Sequence, residues 1–149
     1  MKRIFTILTI VLMSTALTMA ETVKIGQFYY SLSYPNATLL TDQSSDQSTY
    51  KAYTEVTIPA TVSHDGKIYN VTTIGTNAFN GCNKLTSVSL PSTIKSINNY
   101  AFRNCSSLVT INLPEGMTSI GTNAFENCIM TSVTIPSSMT YIGTKAYYG

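Results

Sequence analysis

Three cysteines are the residues best suited to chemistry in this chain. Cys82, Cys105 and Cys128 stand 23 residues apart each time. Thiols could form a disulfide or hold a metal ion. Equal spacing instead predicts parallel side chains in one column, which is poor disulfide geometry and typical of buried free thiols. No CxxC pair occurs and histidine occurs once, so no metal site is expected.

The single histidine, His64, stands beside Asp65 in a segment that reads as a turn. Neighbours in sequence do not make the spatial relay of a catalytic triad. The carboxylates are scattered, none forms a clear acid–base pair, and no glycine-rich phosphate loop occurs. The sequence therefore predicts a protein that is not an enzyme, with no catalytic residues and no cofactor.

The cysteines belong to a 23-residue phrase that occurs three times. The copies start at Ile74, Ile97 and Ile120, and each reads Ile, a small polar stretch, Ala-Phe and then Cys. A Leu-x-x-Val-x-Leu-Pro-like run follows each copy, and an incomplete fourth copy occupies residues 142–149. The third copy is one residue shorter, which puts Met130 in a leucine position. A fixed period of this length predicts a solenoid with one coil per copy.

Each position of the phrase has a predicted role. The alternating run is a short strand, and the Ala-Phe segment is a short helical turn that carries an aromatic column (Phe79, Phe102, Phe125, Tyr147). Gly75, Gly121 and Gly143 suit tight or left-handed turns, with Asn98 as a substitute. Eight side chains of one coil should point inward: Ile97, Ala101, Phe102, Cys105, Leu108, Ile111, Leu113 and Met117.

The N-terminal third departs from the repeat. Residues 1–20 have a basic start, an apolar run and small residues before Glu21, which is typical of a signal peptide cleaved after Ala20; an uncleaved anchor is the alternative. Residues 21–55 should form a β cap, with strands over 23–34, 37–41 and 50–58 and an exposed loop over 42–49. An extended first coil, 56–73, contains Asp65-Gly66 and should form a hairpin.

Charge narrows the range of partners. Removing Lys2 and Arg3 with residues 1–20 leaves seven basic residues of the nine, against seven acidic residues. A formally neutral chain without a basic stripe does not suit nucleic acid. After cleavage, no apolar run is long enough to cross a bilayer.

With these columns aligned, residues 56–149 resemble the BspA-like, or Treponema pallidum-type, leucine-rich repeats. The shared phrase is close to Leu-x-x-Ile-x-Leu-Pro-x-x-Leu-x-x-Ile-Gly-x-x-Ala-Phe-x-x-Cys, and Asn98, Met130 and Tyr147 are the departures. The resemblance implies a right-handed leucine-rich-repeat solenoid. It would be mostly β, with short parallel strands, short helical turns on the convex side and an N-terminal β cap. It also implies a secreted or bacterial cell-surface protein, often from Bacteroidales, with a role in adhesion to host matrix or bacterial surface proteins.

Exposed strand positions supply the candidate interaction surface. They should form columns on the concave face whose first members are Thr54, Glu55 and Thr57. The candidate partner-binding residues are Thr86, Ser87, Ser89, Val109, Thr110, Asn112, Thr131, Ser132 and Thr134. Serine and threonine also suit any solvated β surface, so a purely structural role is the alternative.

Tyrosines and the last coil offer two further expectations. Tyr29, Tyr30, Tyr34, Tyr50 and Tyr53 crowd the cap, where they should cover the core. The fourth copy stops in mid-coil, which suggests a fragment or an end-to-end homodimer. The sequence thus favours a protein-recognition or adhesion module, with a structural spacer within a larger surface protein as the alternative.

Overall fold

A computed structural model describes residues 20–42 and 50–149. All but the last residue of the predicted signal peptide, and residues 43–49 of the predicted polar loop, lie outside the described residues. The described residues contain strands in two sheets and one three-residue 3₁₀ helix, Tyr50–Ala52. The strands are β1 (Glu21–Ile25), β2 (Phe28–Ser33), β3 (Asn36–Leu39), β4 (Glu55–Thr57), β5 (Thr61–His64), β6 (Lys67–Ile74), β7 (Ser87–Ser89), β8 (Ser96–Ile97), β9 (Thr110–Ile111), β10 (Ser119–Ile120) and β11 (Tyr141–Ile142).

The repeats stack in register, which confirms the predicted solenoid of short parallel strands. In the larger sheet, β6, β8, β10 and β11 are parallel, and each isoleucine that starts a copy pairs with the isoleucine of the next copy. In the smaller sheet, β4, β7 and β9 are parallel, with Val56 beside Val88 and Val88 beside Ile111. Like residues therefore lie beside like residues from coil to coil.

The segment predicted as a short helical turn is a series of tight turns instead. In the first copy, Ala78 N–H donates to Gly75 O at 3.2 Å and Cys82 N–H donates to Phe79 O at 3.1 Å. Asn77, Tyr100 and Asn123 have φ values near +60°, which no helix accommodates. Backbone bonds between coils replace the helical bonds: Phe79 N–H donates to Ala101 O at 2.7 Å, and Phe125 N–H donates to Ala146 O at 2.7 Å.

Of the two predicted alternatives, the repeat glycines occupy tight turns and not left-handed ones: Ala78 N–H donates to Gly75 O and Ala146 N–H donates to Gly143 O, both at 3.2 Å. Positive φ values occur instead two positions later, at Asn77, Tyr100, Asn123 and Lys145. Gly121 is needed because its Cα lies against the preceding coil. A Cβ added there would come within 2.5 Å of Asn99 N and 2.6 Å of Asn98 C.

An aromatic column crosses the core at right angles to the coils. Phe79, Phe102, Phe125 and Tyr147 stack with centroid separations of 5.2 to 5.3 Å and interplanar angles of 7° or less. Of the eight side chains predicted to face inward in one coil, seven are buried and Leu113 is half-buried. Dispersion and apolar burial are thus repeated coil after coil along one axis.

The cap closes the first coil in a way that differs from the expectation. The predicted strand over 23–34 is two strands, β1 and β2, joined by a turn at Gly26, where φ is +60°. The predicted strand over 50–58 is the 3₁₀ helix followed by β4, and the strand over 37–41 is the shorter β3. Tyr50 stacks on Phe79 at 5.4 Å and so ends the aromatic column.

Two residues of the cap contradict their predicted environments. Asp42, assigned to an exposed loop, is 3% exposed, and its carboxylate accepts a hydrogen bond from Tyr50 N–H at 3.1 Å. Tyr34, assigned to cap packing, is 69% exposed; its ring meets the Tyr69 ring edge-to-face at 5.8 Å, and Lys67 Nζ lies 6.0 Å from its ring centre. Tyr30 and Tyr50 are buried as expected, while Tyr29 and Tyr53 pack against the core half-buried.

The hairpin of the extended first coil is present. β5 and β6 pair antiparallel around Asp65 and Gly66, whose φ values are +47° and +70°. Two positive values at the central residues are those of a type I′ turn, whose twist matches that of the flanking strands. The far end of β6 then enters the parallel sheet between β3 and β8.

The strand predicted for the third copy does not form. Residues 131–134 are outside every strand, although Thr131, Ser132 and Thr134 were expected to extend the concave face. Cys128 is half-buried and Ile129 is 54% exposed, whereas Cys82 and Cys105 are buried. The missing residue after Cys128 shortens the path to the next strand position, so the chain does not regain the register of β9.

Candidate functional site

The three cysteines are free thiols, and two of them join coils through hydrogen bonds. Cys105 Sγ donates to Phe79 O at 3.1 Å, and Cys128 Sγ donates to Phe102 O at 3.2 Å. Each thiol therefore reaches the carbonyl that ends the aromatic segment of the preceding coil. The column confirms the prediction of buried free thiols for Cys82 and Cys105, and Cys128 is half-buried.

Burial makes these thiols poor nucleophiles. It raises the pKa of Cys82 to about 12 and the pKa of Cys128 to about 11 from the ordinary 9.0. Burial also raises the pKa of Cys105, and the neighbouring Cys82 and Cys128 thiols raise it further. Because the thiolate is the reactive form, the column is inert at neutral pH and its role is structural.

His64 forms contacts at the surface. Its Nε2 lies 3.5 Å from a Glu21 carboxylate oxygen and 3.6 Å from an Asp65 oxygen. Within residues 20–42 and 50–149, no group of three or more His, Cys, Asp or Glu side chains is placed to hold a metal ion. The same part of the chain contains no helix that is long and apolar enough to span a membrane.

The exposed face of the smaller sheet brings together most of the predicted partner-binding residues. β4, β7 and β9 turn Val56, Val88 and Ile111 into the core, so the alternate residues face outward. A shallow cavity of about 430 Å³ lies on this face, which we call the β4–β7–β9 face. The polar side chains that line it are Glu55, Thr57, Ser87, Ser89, Thr110 and Asn112.

These polar side chains are available to a partner. None of the six has a side-chain hydrogen bond to another described residue. Hydroxyls elsewhere bind a neighbouring coil: Thr93 Oγ1 donates to Val71 O at 2.7 Å, and Thr118 Oγ1 donates to Lys95 O at 3.2 Å. The contrast separates serine and threonine residues that hold coils together from those that face solvent without an intramolecular role.

The remaining candidates are placed differently. Thr86 Oγ1 donates to Thr54 O at 2.9 Å, so its hydroxyl links two coils. Val109 is exposed beside β9. Thr131 and Ser132 line a separate cavity of about 240 Å³ with Phe125, Met130 and Tyr147, away from the β4–β7–β9 face. Thr134 is exposed and outside every strand.

Sequence reasoning missed one concave region. A groove of about 410 Å³ lies where the β1–β2 turn meets β4 and β5. It includes Gln27 and Ser63, neither of which had been singled out. The non-repeating cap forms one wall, so the 23-residue period carries no information about it. The left-handed Gly26 and the hairpin at Asp65-Gly66 were the available local signals.

Residues 72–149 match a family profile described as "BspA type Leucine rich repeat region (6 copies)", which covers more than half of the chain. The chain belongs to the BspA-type leucine-rich repeat family. Members of this repeat family are typically non-enzymatic, in keeping with the inert thiols and scattered carboxylates.

Solved structures of BspA-type and other leucine-rich repeat proteins are similar to this chain. A leucine-rich repeat protein from Bacteroides capillosus is 32% identical, with a TM-score of 0.68 over 81% of this chain and 86% of that chain. One from Bacteroides ovatus is 26% identical, with a TM-score of 0.56 over 84% and 38% of the two chains. The T. pallidum leucine-rich repeat protein shares the fold at 24% identity, with a TM-score of 0.66 over 86% and 67%. A search of the curated proteins found no match.

Proposed function

We propose that this BspA-type repeat protein is secreted or displayed on the cell surface, and that it binds another protein through the β4–β7–β9 face. The observation that supports the proposal is the set of six outward-facing polar side chains that make no side-chain hydrogen bond with any described residue. Repeat proteins commonly use such continuous surfaces to bind partners. The N-terminal segment typical of a signal peptide supports export.

The chemistry of the face favours a polar, sequence-tolerant contact. Glu55 is the only charged side chain among its lining residues, and no aromatic side chain lines it. Aromatic and arginine anchors dominate the strongest interfaces, so binding here would be weak for one copy. Several copies on one surface would raise the apparent affinity, as adhesion requires.

The alternative is a structural spacer within a larger surface protein. The chain secreted from cells that express all 149 residues can be immobilised and tested against host matrix proteins, mucin and bacterial cells. The adhesion proposal predicts retention of at least one of these at micromolar concentration. No retention on any of them would favour the spacer.

Two arginine substitutions test whether the partner protein contacts the β4–β7–β9 face. Ser89→Arg and Thr110→Arg each put a long cation on the outward side of a strand without entering the core. Each should lower retention of the bound partner by about tenfold or more, because the partner loses complementarity there. Ser106→Arg, at an exposed turn position outside that cavity, is the matched control. Equal retention by all three variants would place the contact elsewhere.

The exposed last coil favours a second proposal, end-to-end pairing with another copy of the chain. Ile135, Ile142 and Tyr148 are exposed there, and β10 is the one strand that pairs with β11 in the part of the chain that the structure describes. Light scattering should then give a dimer that Ile142→Asp converts to a monomer. A wild-type monomer at all concentrations would contradict this pairing and leave the β4–β7–β9 face unaffected.

A further inference from the structure

The groove at the junction of the cap and the first coil has an open strand edge in its wall. Ile25, Gly26, Gln27 and Phe28 line one side. The other side is lined by Thr57, Pro59, Thr61, Val62 and Ser63. Its volume of about 410 Å³ lies within the range of about 300 to 1,000 Å³ that is typical of ligand pockets. Among the strands of residues 20–42 and 50–149, β5 pairs with β6 alone, so one of its edges has no partner strand there.

Hydrogen bonds around β6 establish which backbone groups of β5 are free. Val71 N–H donates to Ala60 O at 2.9 Å, whereas Asn70 N–H donates to Pro35 O at 2.9 Å and not to β5. Antiparallel pairs alternate between bonded and non-bonded, so Thr61–Asn70 and Ser63–Ile68 are non-bonded pairs. The N–H and C=O groups of Thr61 and Ser63 therefore point away from β6.

These two residues present a short, regular template. Both are exposed, both line the groove, and no backbone bond joins either to another described residue. Their separation by one residue is the spacing at which an added strand makes successive bonds. Glu21 of β1 meets His64 of β5 at 3.5 Å, so the two one-sided strands β1 and β5 come close at their ends.

The lining of the groove selects against charge. Not one of its lining residues is charged, so a buried ionic group would lose hydration without gaining a partner. Ile25 and Pro59, both half-buried, supply apolar surface, and the buried Phe28 and Val62 lie beneath it. Tyr30 also lines the groove, and its buried hydroxyl has no hydrogen-bond partner among the described residues.

We propose that this groove binds an extended, uncharged peptide segment of a partner protein, which adds as a strand beside β5. The backbone of the segment bonds to Thr61 and Ser63, and an aliphatic or aromatic side chain contacts Ile25 and Pro59. A peptide is the occupant because the free groups are main-chain donors and acceptors at strand spacing. Thr57 lines both this groove and the β4–β7–β9 face, whose other lining residues differ, so the two proposals are tested by different substitutions.

A displayed library of uncharged heptapeptides, selected on the secreted chain, tests the proposal. Enriched peptides are synthesised with blocked ends and titrated by fluorescence anisotropy. Ser63→Pro removes an N–H that β6 does not use, so the hairpin should remain intact. This variant should weaken binding by about tenfold or more, whereas Ser63→Ala, which keeps the N–H, should bind within about twofold of wild type.

Several outcomes would overturn the proposal. Either no peptide is enriched, or Ser63→Pro, with an unchanged melting temperature, binds the peptides as tightly as wild type. Equal loss in Ser63→Pro and Ser63→Ala would assign the effect to the hydroxyl and contradict strand addition. If no peptide binds and the wild type is a dimer that Ser63→Pro converts to a monomer, a second copy of the chain occupies the groove instead of a partner peptide. Thr110→Arg, on β9 and two strands from Thr57, should leave peptide affinity unchanged, which distinguishes this site from the β4–β7–β9 face.

Discussion

Cys105 Sγ donates a hydrogen bond to Phe79 O at 3.1 Å, across 26 residues of sequence and one step of the stack. Cys128 repeats the contact with Phe102 O at 3.2 Å. The aromatic and thiol columns are thereby connected: the backbone that carries one ring accepts the thiol of the next coil. Substitutions in either column should therefore weaken the stack as a whole.

Thiol burial predicts a loss of stability at alkaline pH. The folded chain holds the protons of Cys82 and Cys128 more tightly than the unfolded chain does, since burial raises their pKa values from 9.0 to about 12 and about 11. The stabilisation is complete below about pH 9 and is lost as pH rises towards 11 to 12. Urea midpoints at pH 8, 9 and 10 should fall in that order.

A variant with serine at all three cysteine positions is the control. In this variant the urea midpoint should fall less between pH 9 and pH 10. That range lies below the ordinary tyrosine pKa of 10.0, so tyrosine titration contributes little there. An identical pH profile for wild type and variant would mean that the thiols titrate normally and are not buried.

Removal of a central ring should be costly. Phe102 is fully buried and lies between Phe79 and Phe125 at 5.3 Å on each side. Phe102→Ala should lower the free energy of unfolding by about 3–5 kcal/mol because it leaves a cavity between two rings. Tyr147→Ala, at the half-buried end of the column, should cost less. Equal urea midpoints for wild type and Phe102→Ala would contradict the column.

Residues with positive φ should differ in stability when they are replaced by alanine or by glycine. Asn123 has a φ of +55°, and its side chain makes no hydrogen bond with the described residues. Asn123→Ala should cost about 1 kcal/mol, because alanine adopts left-handed backbone less readily than asparagine does, while Asn123→Gly, which removes the Cβ, should be neutral or slightly stabilising. Asn83→Ala, at an exposed position without a positive φ, is the control. Thermal melting of the three variants provides the measurement.

Close approach of the coils predicts that Gly121 does not tolerate a methyl group. Its added Cβ would meet the backbone of Asn98 and Asn99, which cannot rotate away as a side chain can. Gly121→Ala should therefore cost about 1–3 kcal/mol, as overpacking does. Asn98 occupies the same position in the preceding coil, where the packing already accommodates a Cβ. Asn98→Ala should therefore lower the free energy of unfolding by less than Gly121→Ala does. A Gly121→Ala variant as stable as wild type would contradict the close packing.

The periodic part of the fold was predictable because each residue type recurs at the same place. Three phenylalanines and three cysteines recur at one interval, so stacked coils place their side chains in columns. An Asp-Gly pair between two β-rich runs predicts a hairpin. The outward positions of β7 and β9 followed from alternation within the strand. Most of the β4–β7–β9 face was therefore accessible from sequence.

The features of the fold that the sequence did not predict depend on contacts that do not recur from coil to coil. The single-residue deletion after Cys128 was visible, but the loss of the strand over 131–134 depends on how that shorter path packs. Burial of Asp42 depends on Tyr50, which is eight residues away and inside the non-repeating cap. The role of Gly121 depends on the backbone of another coil, which local turn rules do not describe.

Both binding proposals require coils that lie in register, and the distance between phenylalanine rings measures this directly. In a chain with labelled phenylalanine rings, nuclear Overhauser contacts should join Phe79 to Phe102 and Phe102 to Phe125, whose centroids are 5.3 Å apart. Phe79 and Phe125 should share no direct contact, since Phe102 lies between them. A contact between Phe79 and Phe125, or the absence of both neighbouring contacts in a folded chain, would contradict the stacked register.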